Sequence, residues 1–212
     1  MKRVLITGAT GFIGSNAIAP LLAKGYEVHA VSSKPISEKA IEANDIKENV
    51  IWHTANLSNS KETISLIANI KPTHLLHFAW YAEHGAYWTS PLNLDWTQAS
   101  VRLVEAFCQA GGQKVVIAGT CAEYDWAYGY CSEDLTPLKP NTLYGIAKDA
   151  TRRLTMAVCA EYHVDCAWGR IFLPYGQGED NRRLLPSLMA VFQGKRAPFG
   201  VNANVTTIVH SS

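Results

Sequence analysis

The first fourteen residues constrain the fold of this chain more than any other segment. Residues 4–7 form a short apolar run, and Gly8, Gly11 and Gly14 follow it at a spacing of three, before an apolar helical pattern over residues 12–22. A strand that enters Gly-x-x-Gly-x-x-Gly and then a helix predicts a dinucleotide cradle. The glycines let the backbone approach a pyrophosphate, and the helix N-terminus faces its charge. The alternative is a glycine-rich loop without a ligand.

The composition describes one large globular domain, or one domain and part of another. The chain has 212 residues, of which 48% are hydrophobic and 17% charged, with a formal net charge of +1. Because the charge is near zero and no basic run stands out, we expect no nucleic-acid partner. No apolar stretch is long enough to cross a bilayer, so we expect no membrane association.

Two features bear on the compartment. Basic residues before an apolar run resemble a signal peptide, but three glycines interrupt that run, so we expect no signal peptide. The five cysteines form no Cys-x-x-Cys pair, which favours free thiols in a reducing compartment. We therefore expect a cytoplasmic protein. Among His, Cys, Asp and Glu we find no spacing typical of metal ligands.

Strand-like runs alternate with longer amphipathic segments along the chain. The predicted strands are 3–7, 27–31, 50–53, 74–78, 114–118 and 165–170, and the predicted helices are 12–24, 61–69, 92–109, 143–162 and 182–193. This alternation predicts an α/β fold, a Rossmann-type doubly wound parallel sheet with helices on both faces. Two long loops, 80–91 and 120–142, each follow a strand and should lie at the carboxyl edge, where ligands bind.

Three side chains near that edge form a candidate catalytic group. Tyr144 and Lys148 are four residues apart, so they share one face of a predicted helix. A lysine ammonium beside a phenol is expected to lower the pKa of the phenol, which can then exchange a proton with a carbonyl or an alcohol. Thr120 follows a predicted strand and can hydrogen-bond the same reacting oxygen. Taken alone, Tyr144 and Lys148 are also compatible with a pair on a helix surface, and Thr120 with an ordinary turn residue.

These motifs together resemble the extended short-chain dehydrogenase/reductase family, the NAD-dependent epimerases and dehydratases of the nucleotide-sugar type. The resemblance rests on residues 7–14, 119–124, 144–148 and 170–176. It implies Tyr144 as the acid/base, Lys148 as ribose anchor and modulator of the Tyr144 pKa, and Thr120 as the hydroxyl partner.

The resemblance also implies the remaining site residues. Cofactor-binding positions are Gly8, Thr10, Gly11, Phe12, Ile13, Gly14, Ser32, Ser33, Lys34, Asn56, Leu57, Phe78, Ala79, Trp80, Tyr144 and Lys148. Substrate-binding positions are Tyr81, Thr120, Cys121 and Tyr144. The aromatic residues of the two long loops suit sugar rings and bases, or else pack on one another to hold the loops together.

Three departures from the family pattern refine the function. Cys121 and Ala122 stand where dehydratases carry an acidic pair, which disfavours dehydration. Residues 32–34 read Ser-Ser-Lys where an acid holds the ribose of NAD, which favours NADP(H) over NAD(H), although a solvated turn is the alternative. Leu173 replaces an asparagine common in epimerases.

From these observations we expect an NADP(H)-dependent oxidoreductase of a nucleotide-linked sugar, with 4-ketoreduction first and 4-epimerisation as the nearest alternative. The third possible function is that of a non-catalytic dinucleotide-binding module. We expect a dinucleotide-binding domain over residues 1–178 and the beginning of a C-terminal substrate lobe over 179–212, with most of that lobe missing. Apolar positions on helices 92–109 and 143–162 predict a homodimer.

Overall fold

A computed structural model describes residues 2–35, 49–176 and 178–195. Its strands are β1 (Arg3–Thr7), β2 (Glu27–Ser32), β3 (Val50–Thr54), β4 (His74–His77), β5 (Lys114–Thr120) and β6 (Asp165–Ile171). Its helices are α1 (Phe12–Ala23), α2 (Ser60–Ile70), α3 (Leu92–Gln109), α4 (Leu143–Glu161) and α5 (Leu184–Phe192). Single 3₁₀ turns cover Cys121–Glu123 and Trp126–Tyr128.

The strands form one six-stranded parallel sheet in the order β3-β2-β1-β4-β5-β6. Chain order reverses between β1 and β4, which creates the crevice at the carboxyl edge where doubly wound sheets bind ligands. The predicted Rossmann-type α/β fold is confirmed.

Both faces of the sheet carry an apolar core, because a parallel sheet is covered by helices on each side. One core joins Leu5, Leu75 and Ile117 of the sheet to Leu103 and Phe107 of α3. The other joins the opposite face of β1 and β2 to Ile18 of α1. No helix in the described residues is long and apolar enough to cross a membrane.

Two predicted boundaries differ from the structure by two residues, and the others agree to within one residue. Strand β5 extends two residues beyond the predicted end at 118, because its pairing with β6 continues to Thr120 opposite Ile171. Helix α5 begins at Leu184 rather than at residue 182, because the Asp180 side chain accepts a hydrogen bond from the Arg182 backbone N–H and holds a turn there. Residues 196–212, in the expected substrate-binding region, lie outside the described residues.

Candidate active site

A cleft of about 380 Å³ lies at the carboxyl edge over β1 and β4. Most of the predicted cofactor-binding residues line it: Gly8, Thr10, Gly11, Phe12, Ile13, Gly14, Ser32, Ser33, Asn56, Leu57, Phe78, Ala79 and Trp80. Pro174 and Arg183, which sequence reasoning did not assign to the site, also border it. Residues from four strand ends thus meet in one crevice.

The turn at the floor of the cleft is too tight for a side chain at two of its glycines. Gly8 has a φ of +67°, and a Cβ there would lie 2.7 Å from the Ala79 backbone nitrogen. A Cβ on Gly14 would collide with the Gly8 carbonyl oxygen. Gly11 is the N-cap of α1, and no side chain caps that helix end. The first amides of α1 are therefore not taken up by a side-chain cap, as an anion site requires.

Below the cradle, a buried polar chain ties β1 to α3. The Thr7 hydroxyl lies 2.6 Å from His77 Nδ1 and accepts the Ala79 N–H, while His77 Nε2 lies 2.8 Å from the Ser100 hydroxyl. Burial lowers the pKa of His77 to about 3, so the imidazole is neutral at pH 7. We interpret His77 as a structural residue that fixes the start of the cleft loop.

The end of β2 contains no carboxylate. Ser32 is half-buried, Ser33 and Lys34 are exposed, and the Lys34 N–H donates to the Ser32 hydroxyl at 3.3 Å. Ser32 and Ser33 line the cleft, whereas Lys34 does not. On the neighbouring strand end, the Asn56 N–H donates to Glu62 at 2.7 Å, which fixes the wall formed by Asn56 and Leu57.

Tyr144 lies in an aromatic enclosure beside the Thr120 hydroxyl. Tyr87 and Trp88 pack edge-on against the Tyr144 ring, with ring centroids 4.8 and 5.7 Å away, and the Trp88 carbonyl accepts the Tyr144 N–H. Burial raises the pKa of the Tyr144 phenol, and a hydrogen bond with the Thr120 side chain offsets only part of this rise. The phenol is therefore neutral at pH 7 and can donate a proton.

Lys148 does not lower the pKa of Tyr144 as expected. Its ammonium donates to the Ala118 carbonyl at 2.8 Å and lies 3.9 Å from the centre of the Trp80 ring. The residue is only 4% exposed, and burial lowers its pKa to about 7. The prediction of a depressed phenol pKa is wrong for this conformation, because the ammonium faces Ala118 and Trp80 and desolvation dominates at Tyr144.

Trp80 lies between the cleft, which it lines, and the side chains of Tyr144 and Lys148, which it contacts. Its indole Nε1 donates to Asn93 at 2.9 Å, and its ring packs against Trp96 and, edge-on, against Tyr144. Trp80 lines the cleft, whereas Thr120, Tyr144 and Lys148 do not. The predicted contacts of Tyr144 and Lys148 with the cofactor remain predictions.

The turn after β5 brings Cys121 and Glu123 near the hydroxyl pair. Burial raises the pKa of the Cys121 thiol to about 11, so it stays protonated at neutral pH. Glu123 is fully buried and hydrogen-bonded to Trp168 and Arg170. Tyr81, also predicted to bind substrate, is half-buried and lies outside the lining of the cleft. Within the described residues, no cluster of His, Cys, Asp or Glu could hold a metal ion.

Comparison with known proteins decides the family. The model of the NAD dependent epimerase/dehydratase family matches residues 4–207. The chain belongs to this family.

Its relatives act on nucleotide-sugars by several routes. The chain is 27% identical to UDP-glucose 4-epimerase 2 of Oryza sativa subsp. japonica, over 96% of this chain and 55% of that enzyme. It is 25% identical to the dTDP-6-deoxy-L-talose 4-dehydrogenase (NAD(+)) of Aggregatibacter actinomycetemcomitans, over 95% of this chain and 72% of that enzyme. This family member thus spans little more than half the length of the rice enzyme.

Solved structures show the same fold with ligands bound. MoeE5 in complex with UDP-glucose and NAD superposes with a TM-score of 0.71 at 29% identity, over 91% of this chain and 62% of that one. The UDP-glucose 4-epimerase of Thermus thermophilus in complex with NAD gives a TM-score of 0.74 at 25% identity, over 90% of this chain and 61% of that one.

Proposed function

We propose that this protein is an NADP(H)-dependent oxidoreductase that reduces the 4-keto group of a nucleotide-linked sugar. The observation that carries the proposal is the neutral Tyr144 phenol beside the Thr120 hydroxyl, with only the Trp80 indole between the phenol and the cleft. A phenol that is protonated at neutral pH is suited to protonate a carbonyl oxygen. The 4-dehydrogenase relative supports the same position of attack on the sugar.

The residues of the cleft fit a dinucleotide. Gly8 and Gly14 allow a tight turn that a Cβ would break, and the uncapped N-terminus of α1 suits a pyrophosphate. Ser32, Ser33 and Lys34 offer two hydroxyls and a cation where a 2′-phosphate would lie, which favours NADP(H) over NAD(H). Residues 36–48, which follow this turn, lie outside the described residues.

In the proposed reaction, a bound nicotinamide cofactor would supply the hydride for the sugar C4. Tyr144 donates its proton to the developing alkoxide, so hydride and proton together convert the ketone to an alcohol. Thr120 orients that oxygen, since its hydroxyl is bonded to the same phenol. The Lys148 amine, with its pKa near 7, lies one helical turn from Tyr144 and against the Trp80 ring, and it would hold the ribose of a bound cofactor.

The same geometry disfavours dehydration. Elimination of water needs an acid for the leaving hydroxyl, and Cys121 and Ala122 occupy the positions next to Thr120. The carboxylate of Glu123 is fully buried among donors from β6. Among the described residues of this turn, no other side chain offers a carboxylate beside the two hydroxyls.

The second candidate is a nucleotide-sugar 4-epimerase. It is favoured by the UDP-glucose 4-epimerases that cover 96% of this chain. The exposed Leu173, in place of a common asparagine, argues against it. We also propose that residues 179–212 belong to the substrate-binding region, since Arg183 borders the cleft.

One experiment separates these candidates. NADPH and NADH are titrated into the purified protein, and turnover is then followed with a dTDP-linked 4-keto-6-deoxyhexose and with UDP-glucose. The proposal expects tighter NADPH binding and net NADPH oxidation with the keto-sugar, lost in Tyr144→Phe with cofactor affinity retained. Conversion of UDP-glucose to its 4-epimer without net oxidation identifies an epimerase. Binding without any turnover identifies a dinucleotide-binding module.

A further inference from the structure

A buried carboxylate stands directly behind the two hydroxyls of the candidate site. Glu123 is fully buried. Its Oε1 accepts the Thr120 N–H at 2.9 Å and the Trp168 Nε1–H at 3.0 Å, and its Oε2 accepts the Arg170 Nε–H at 3.1 Å. Burying a carboxylate is costly unless donors hydrogen-bond to it, and here Thr120, Trp168 and Arg170 provide those donors.

Glu123 connects the elements that carry the candidate catalytic residues. Thr120 ends β5, whereas Trp168 and Arg170 belong to β6. Arg152 of α4, the helix that carries Tyr144 and Lys148, places its Nε 3.8 Å from Glu123 Oε2. One carboxylate therefore touches the strand of the hydroxyl and the helix of the phenol.

The backbone next to Thr120 and the backbone next to Tyr144 both pack too closely against neighbouring atoms to accept a side chain. A Cβ on Gly119 would collide with Trp168 Nε1 and lie 2.8 Å from Glu123 Oε1. A Cβ on Gly145, next to Tyr144, would lie 2.7 Å from the Ala122 carbonyl oxygen. The start of α4 thus packs directly on the turn that Glu123 closes.

The turn also holds the Thr120 side chain in place. Thr120 is the N-cap of the 3₁₀ turn, and its hydroxyl oxygen accepts the Ala122 N–H at 3.2 Å while Glu123 accepts the Thr120 N–H in return. The hydroxyl keeps its hydrogen and its second lone pair for its neighbours, the Tyr144 phenol and the Cys121 thiol, or for the substrate oxygen.

The geometry points to Glu123 as a positioning residue that fixes Thr120 against Tyr144 for proton transfer. This inference rests on the proposed function, in which these two hydroxyls act on one substrate oxygen. Glu123 itself touches neither substrate nor cofactor in this role. Stability alone does not call for a carboxylate here, because well-packed apolar residues often replace buried charged groups without loss.

The test follows the Tyr144 ring by NMR in protein labelled with ¹³Cζ-tyrosine. The Tyr144 signal is the one that disappears in Tyr144→Phe, and Thr120→Val gives the shift that follows loss of the hydroxyl contact. Glu123→Gln should move the Tyr144 signal in the same direction as Thr120→Val. Glu27→Gln is the matched control, because Glu27 also accepts a side-chain hydrogen bond, from His29, but lies on β2, on the far side of β1 from the site. It should leave the signal in place.

Trp168→Phe keeps the carboxylate but removes its Nε1–H donor, so it provides a second variant should Glu123→Gln fail to fold. It should also shift the Tyr144 signal. A folded Glu123→Gln or Trp168→Phe protein with an unmoved Tyr144 signal overturns the inference.

NADPH affinity separates this outcome from failure of the proposed function. We expect Glu123→Gln to bind NADPH within about twofold of the parent, and its kcat for a substrate found in the screen to fall about 10–100-fold at unchanged KM. A parent that binds no dinucleotide refutes the proposed function, while the NMR comparison still decides whether Glu123 positions Tyr144.

Discussion

Replacing Lys148 with methionine should stabilise the protein at neutral pH, because the native side chain is a buried cation. Lys148 is 4% exposed, and burial lowers its pKa from 10.5 to about 7. The unfolded chain therefore binds more protons than the folded one between about pH 7 and pH 10.5, so stability rises with pH across this window. Below about pH 7, the amine is charged in both the folded and the unfolded chain, so its cost to stability no longer changes with pH.

The size of the effect follows from that pKa. At about 1.4 kcal/mol for each tenfold change in proton affinity, holding this amine in the folded protein costs about 4–5 kcal/mol at pH 7. Methionine cannot donate a hydrogen bond to the Ala118 carbonyl, and losing this hydrogen bond offsets about 1–3 kcal/mol of the gain in stability. We expect Lys148→Met to be about 1–3 kcal/mol more stable at pH 7, within the range seen when apolar residues replace buried charges.

Urea denaturation of parent and variant at about pH 7 and about pH 10 measures this difference, which should shrink or reverse at the higher pH. Lys61→Met, at an exposed position in α2, controls for loss of a positive charge and should show little dependence on pH. A Lys148→Met protein that is less stable than the parent at pH 7, or a gain that persists at pH 10, refutes the reasoning.

Three further predictions concern cofactor and assembly. Lys34→Ala should weaken NADPH binding by about 1–3 kcal/mol and NADH binding little, measured by titration calorimetry; equal losses would remove Lys34 as a phosphate ligand. Gly14→Ala should abolish dinucleotide binding and lower stability by about 1–3 kcal/mol, because its Cβ meets the Gly8 carbonyl, whereas Gly25→Ala, which is strained by a φ of +74° but has open space around it, should lose stability and keep binding. The exposed Leu94, Ile146 and Leu154 on α3 and α4 predict a homodimer, which Leu154→Lys should dissociate in light scattering; a monomeric parent would contradict this.

The sheet and the cradle were predictable because their signals are local. Each strand is a short apolar run, and the glycine spacing fixes the turn between β1 and α1 within a few residues. The Thr120, Tyr144 and Lys148 positions also follow from sequence, because a strand end and the first turn of a helix have characteristic neighbours. Their roles in catalysis stay predictions.

The electrostatics of the site depend on residues distant in sequence and could not be predicted. The i,i+4 spacing places Tyr144 and Lys148 on one helix face, but Trp80 and the Ala118 carbonyl determine where the ammonium lies. Glu123 closes a 3₁₀ turn that no local pattern indicates, because its donors come from β6, more than forty residues later.

The most direct test of the account is transfer of deuterium from NADPD, deuterated at the transferable position of the nicotinamide, to a dTDP-linked 4-keto-6-deoxyhexose. Mass spectrometry of the product should find one deuterium at C4 with the parent protein and none with Tyr144→Phe, although both proteins bind the cofactor. Equal deuterium incorporation by Tyr144→Phe, or none by a parent protein that binds NADPH, would contradict the claim that Tyr144 and the adjoining cleft form a reductase site.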